Sequence, residues 1–175
     1  RQDTNGIASL VDPRRPGQTF EQAQFPGALR AVASSSTGDM TAFLDQTGVL
    51  YRYYRGDFLS PVTIGSSVTS LAIGRDAAGQ PVVVAVDPTA GKFTFVGVDG
   101  ATGSVPTILK PSLLVASPTG STVYAIDPQS GVIDLVYVIS RGVGVFGGAA
   151  GAQVTSGVVS PDGRTVYLGS TSSLQ

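Results

Sequence analysis

Histidine, cysteine and tryptophan are absent from the 175 residues, and each absence closes off a class of function. Without cysteine there are no disulfides and no thiolate metal sites. Without histidine the usual base for proton transfer near neutral pH is missing. Without tryptophan, repeat docking motifs built on that residue are excluded as well. Lysine occurs only at Lys92 and Lys110 and glutamate only at Glu21, so strong helix formers beyond Ala and Leu are scarce. Charge is sparse and balanced, with Lys+Arg 11 against Asp+Glu 12 and a net charge of -1. A polyanion-binding surface needs clustered excess Lys and Arg, so no nucleic-acid partner is expected. No apolar run nears the roughly 20 residues of a membrane helix. Val82 to Val86 is typical of the longest, and no membrane insertion is expected. The chain opens at Arg1 without an initiator methionine or a visible signal peptide, which reads as a processed or partial product.

What remains is 42% hydrophobic, enough for a core in one or at most two domains of this length. Val, Thr, Ser and Gly abound, and the expected fold class is all-β. A surface rich in Ser, Thr, Gly and Gln and poor in Lys and Glu predicts an exported protein: secreted, or held at the cell surface or in the periplasm.

The segment from Ser117 to Val138 reads as turn, strand, turn, strand. Ser117-Pro118-Thr119-Gly120 and Asp127-Pro128-Gln129-Ser130-Gly131 are turn chemistry, and Thr122 to Ile126 is β-branched and aromatic. The unit recurs. Gly38, Gly79, Gly120 and Gly163, each before a strand, are separated by 41, 41 and 43 residues. Asp45, Asp87 and Asp127, each after that strand, are separated by 42 and 40. Such a period belongs to four-stranded antiparallel propeller blades. The expected organisation is a β-propeller with about four blades represented: a blade remnant at 1–27, blades at 28–66, 67–110 and 111–152, and a partial blade at 153–175. Within a blade, strands a to d run outward; strand b is apolar at nearly every position, as suits a sheet covered on both faces. Ile7 to Val11 and Gln18 to Gln22 read as strands b and c of the remnant. Both ends then supply strand b and cannot complete one another. This predicts a segment of a larger or multi-chain ring of six to eight blades, ahead of a closed small propeller.

The stretches SPTGSTVYAIDPQSG and SPDGRTVYLGS resemble the YVTN-type β-propeller repeat, with an S-P-D-G-x-x-V-Y-V core and a D-x-x-x-G turn. The likeness is good at Ser117 to Gly131 and Ser160 to Gly169, and looser where Val82-Val83-Val84 replaces the core. The resemblance implies a propeller of the kind found in bacterial and archaeal surface proteins and in lactonase-like hydrolases. Those enzymes use a His, Arg and Glu set in the central channel, which this chain cannot reproduce.

Asp45, Asp87 and Asp127 are expected to cap their own turns. A structural calcium ion is possible through Asp76, Asp99 and Asp162, although no D-x-D-x-D-G loop is present; no other cofactor is expected. Tyr51, Arg52, Tyr53, Tyr54, Arg55 and Asp57 form the one local concentration of aromatic and basic side chains. They make either a c–d hairpin or a contact surface, since Tyr and Arg dominate binding hot spots. Arg55-Gly56-Asp57 also spells the integrin tripeptide, a match frequent by chance. The composite expectation is a non-enzymatic extracellular module that binds a protein partner, or itself, through propeller edges or loops. The alternatives are a lactonase-like hydrolase with its site in other blades, tested with Arg52 and Arg164, and a carbohydrate-binding propeller.

Overall fold

A computed structural model describes residues 6–11, 19–148 and 153–171, and among them there are strands and turns but no helix. The strands form five antiparallel sheets in chain order. Sheet one pairs β1 (Gly6–Val11) with β2 (Thr19–Phe25). Sheet two holds β3 (Leu29–Ser34), β4 (Met40–Asp45), β5 (Val49–Tyr54), β6 (Asp57–Phe58) and β7 (Val62–Thr63). Sheet three holds β8 (Ser70–Arg75), β9 (Pro81–Asp87), β10 (Lys92–Val96) and β11 (Thr102–Pro106). Sheet four holds β12 (Leu113–Ala116), β13 (Thr122–Ile126), β14 (Ile133–Tyr137) and β15 (Gly142–Phe146), and sheet five pairs β16 (Val154–Val159) with β17 (Val166–Ser170).

Each complete sheet is a meander, and the first strands β3, β8, β12 and β16 lie side by side. Sheets that fan out from a row of inner strands are blades, and the protein is a β-propeller. The approach of those inner strands explains one small residue. A Cβ on Gly74 would fall 2.6 Å from Gly120 O and 2.5 Å from a Val138 methyl, just where Arg75 N–H donates to Gly120 O at 2.8 Å. Backbone meets backbone there, and a side chain has no room.

The repeated turns have a common cause. Ser35, Ser117 and Ser160 start the a–b turn, and their hydroxyls accept from the amides of Met40 (3.1 Å), Thr122 (3.3 Å) and Thr165 (2.9 Å). In sheet three the same service comes from Asp76, which accepts from Gln80 N–H at 2.8 Å. The b–c turn is capped by aspartate. Asp45 Oδ1 accepts from Thr47 N–H and Val49 N–H, both at 2.9 Å; Asp87 accepts from Ala90 N–H at 2.8 Å and Asp127 from Gln129 N–H at 3.0 Å.

The core lies between the sheets rather than inside one barrel. Met40, Leu44, Leu50, Ile73 and Val83 fill the layer between sheets two and three. Val84, Val86, Phe93, Phe95, Val123 and Val136 fill the layer between sheets three and four. The layer between sheets four and five is thinner: among the described residues its buried cluster is Ile126, Ile133 and Val154.

Two readings of the sequence need correction. A four-stranded blade over 28–66 calls for one outer strand, and here it is split into β6 and β7, because Pro61 has no N–H to donate. The remnant at the N-terminus is not strands b and c. Only three residues separate β2 from β3, so β2 precedes an inner strand directly, as an outermost strand does. Sheet one is therefore strands c and d. Part of that remnant, residues 1–5 and 12–18, lies outside the described residues, as do residues 149–152 and 172–175.

Candidate functional site

The aromatic and basic segment singled out in the sequence forms β5, its turn and β6. Period-two alternation divides it between two faces. Tyr51 and Tyr53 point toward sheet one, where Phe25 caps an aromatic cluster. The Phe25 ring lies 4.9 Å from that of Tyr51, 5.1 Å from Phe43 and 6.1 Å from Phe58, and Tyr53 lies 5.1 Å from Phe58. These edge-on and tilted pairs are the usual favourable ring arrangements. Phe25 is buried, whereas Phe58 at the rim stays 45% exposed.

Arg52 points the other way and is 1% exposed. Its guanidinium donates to the carbonyl of Gly97 in the neighbouring sheet and to Ser60 O at 2.8 Å. Burial lowers its pKa from the usual guanidinium value, against the opposing pull of Asp99. Nε finds no acceptor. Arg52 is a strut between sheets two and three, which replaces the ladder bonds that β6 and β7 leave unmade around Ser60-Pro61.

Arg55 and Gly56 turn the chain with φ of 51° and 100°, the pair of positive values a two-residue type I′ hairpin requires. The Arg55 guanidinium carbon sits 4.9 Å from the centroid of the Tyr54 ring, within cation–π range. Tyr54 donates to Gln80 Oε1 across the sheets at 3.0 Å, which fixes the ring. Arg55 and Asp57 are exposed. The structure thus sends Tyr51 and Tyr53 into an aromatic cluster with Phe58 on one face of the sheet and Arg52 into the core on the other, and leaves Tyr54, Arg55 and Asp57 at the blade rim.

Other charged groups are engaged locally. Asp76 and Asp99 accept from backbone amides two residues on, and Asp162 accepts from Ser160 Oγ at 2.5 Å and Arg164 N–H at 3.1 Å. Among the described residues no three carboxylates converge as metal ligands would. Asp134 is fully buried, and burial raises its pKa. Its Oδ2 accepts from Ile108 and Leu109 amides at 3.3 and 3.2 Å, and its Oδ1 has no donor. Asp39 meets Arg75 of the next blade at 2.9 Å. Burial works to raise its pKa, but bonds from Ser35, Thr37 and Arg75 outweigh this and hold it at about 2.

Two features escaped sequence reasoning. Phe25, Phe43 and Phe58 stand far apart in sequence and meet only through the fold. The second is a groove of about 580 Å³ between sheets four and five, lined by Tyr124, Ile133, Leu135, Tyr137, Phe146 and Leu168, among others.

No protein family matches the sequence, and no curated protein does. Solved structures match the fold. The β-propeller domain of Cps50 (Swd1) from Myceliophteria thermophila superposes with a TM-score of 0.72 at 12% identity, over 95% of this chain and 56% of its own. A functionally unknown protein from Desulfotomaculum acetoxidans gives 0.70 at 14% identity, over 87% and 52%. Atg21, in a complex with the coiled coil of Atg16, gives 0.67 at 10% identity, over 89% and 53%. The chain spans about half the length of the structures it matches.

Proposed function

We propose that this propeller is a non-enzymatic protein-interaction module of the YVTN repeat kind, working outside the cell or in the cell envelope. The observation behind this reading is the rim of sheet two. There an exposed Arg55 guanidinium rests on a Tyr54 ring that is itself anchored to Gln80 of the neighbouring sheet. Rigid aromatic and arginine side chains with one face free are what binding hot spots are made of. The buried charged side chains Arg52 and Asp134 bond to backbone across neighbouring sheets, and buried Asp45 and Asp87 cap their own turns, which favours a structural role for them over a catalytic one. Among the matching structures, Atg21 is seen in a complex with the coiled coil of Atg16; that supports the module class and not the partner's identity.

The test is a photo-crosslinking residue in place of Arg55, in cells of the source organism, followed by fractionation. A discrete crosslinked protein in the medium or envelope fraction, lost when Tyr54→Ala is added, supports the proposal. Crosslinks that are diffuse or indifferent to Tyr54 would overturn the site, and recovery in the cytoplasm would overturn the location.

A further inference from the structure

A groove of about 450 Å³ opens between sheets three and four, at the end of the blades that carries the a–b and c–d turns. Both of these sheets have all four strands. Gln80 lines the groove and joins it to the rim of sheet two, because its side chain accepts from the Tyr54 hydroxyl at 3.0 Å. We propose that this groove receives a lysine or arginine side chain of the protein partner. The inference rests on the reading of Tyr54 and Arg55 as a contact surface, and adds what the partner must carry.

The lining suits such a side chain from stem to head. Pro81, Val82, Val98 and Ile139 give an apolar surface for the methylenes, and Ile139 is 58% exposed. Long basic side chains lay their stems on surface of this kind and keep the charged head in polar surroundings. The head would meet Asp76 and Asp99, from the a–b and c–d turns of sheet three. Each holds its own turn through Oδ1. Asp76 accepts from Ala78 N–H at 2.9 Å and Gln80 N–H at 2.8 Å, and Asp99 from Ala101 N–H at 3.0 Å. Among the described residues neither is in an ion pair, and the second oxygen of each accepts nothing. Arg52 reaches the same turn of sheet three, but bonds the carbonyl of Gly97 rather than Asp99.

Arg141 supplies the other half of the recognition. It holds a left-handed backbone with φ of 52°, uncommon for a residue with a side chain. Its guanidinium reaches back over the outermost strand of sheet three, 5.9 Å from the centroid of the Phe95 ring. A Cβ on Gly103 would fall 2.5 Å from its Nη1, so glycine there leaves the space it occupies. Among the described residues it pairs with no carboxylate. Its free N–H donors suit the main-chain carbonyls of the segment that delivers the basic side chain. Two carboxylates against one guanidinium make the groove complementary to a cation rather than an anion.

Two measurements test the proposal. Acetyl-lysine methylamide, titrated into the isotope-labelled chain, is expected to shift the amide resonances of Gln80, Ala101 and Ile139. The norleucine analogue, which has the stem without the charge, should bind about 3- to 10-fold more weakly. A chain with Asp76→Asn and Asp99→Asn keeps the Oδ1 acceptor of each turn and should lose that preference. In cells, a photo-crosslinking residue in place of Ile139 should capture the same protein as one in place of Arg55. Equal binding of the two amides, or a lysine preference that survives both asparagines, would overturn the proposal. Capture at Arg55 of a protein that Ile139 does not reach would overturn it too, and leave the contact surface standing. No capture from either position would overturn both readings.

Discussion

Sheets three and five are written in the same repeat, yet they stand in opposite physical situations. Every residue of β9 is buried, because sheet three has a neighbour on each face. In β17 no residue is fully buried, and sheet five meets one neighbour through a thin layer. Stability in such an array is the sum of sheet and interface contributions. The contrast teaches that a blade owes its rigidity to its two flanks more than to its own sequence. Val82-Val83-Val84 departs from the repeat core and yet lies in a strand buried along its whole length.

The sharpest way to break this contrast is in the core. Phe93→Ala, between sheets three and four, is expected to cost about 3–5 kcal/mol in a urea titration. If it costs no more than a substitution in sheet five, the double-flank argument fails. Next in size is Asp45→Ala, which strands the Thr47 and Val49 amides that the carboxylate accepts from. A loss of about 1–2 kcal/mol is expected, and a neutral result would show that the b–c turn holds its shape unaided. Leu168→Ala in sheet five should cost about 1 kcal/mol or less, and amides of β16 and β17 should exchange with deuterium sooner than those of β9. Equal protection would erase the distinction between the two sheets.

The smallest effect concerns acid. Asp39 has a folded-state pKa of about 2 against an ordinary 3.8, so its carboxylate contributes stability that is complete above about pH 4. That contribution disappears as pH falls from about 4 to 2. An Arg75→Met chain should lose less over that window than the wild type, measured as thermal midpoint against pH. A parallel loss would remove Arg75 from the account.

Much of the fold was legible because the repeat writes each strand and turn twice over, in a glycine before strand b and an aspartate after it. β13 begins and ends where the sequence reading set it. The outer strand at Phe58 was misjudged because Pro61 acts on the ladder, which a pattern of β-branched residues does not report. The N-terminal strands were misassigned although a signal was present: Asp3-Thr4-Asn5-Gly6 stands 42 residues before Asp45-Gln46-Thr47-Gly48, and so marks the entry to strand c. In the candidate site, the period-two split that separates Arg52 from Tyr51 and Tyr53 could be read in advance. The side of the blade that would be covered could not, because Phe25 arrives from another sheet.

The uninterrupted burial of β9 has a consequence for heating. Val82 to Val86 is a short, uncharged, β-branched run of the sort that assembles into fibrils once uncovered. Its flanks, Pro81 and Asp87, are residues that resist such stacking and serve as gatekeepers. Loss of either neighbouring sheet would leave only those two residues between a reversible opening and a precipitate.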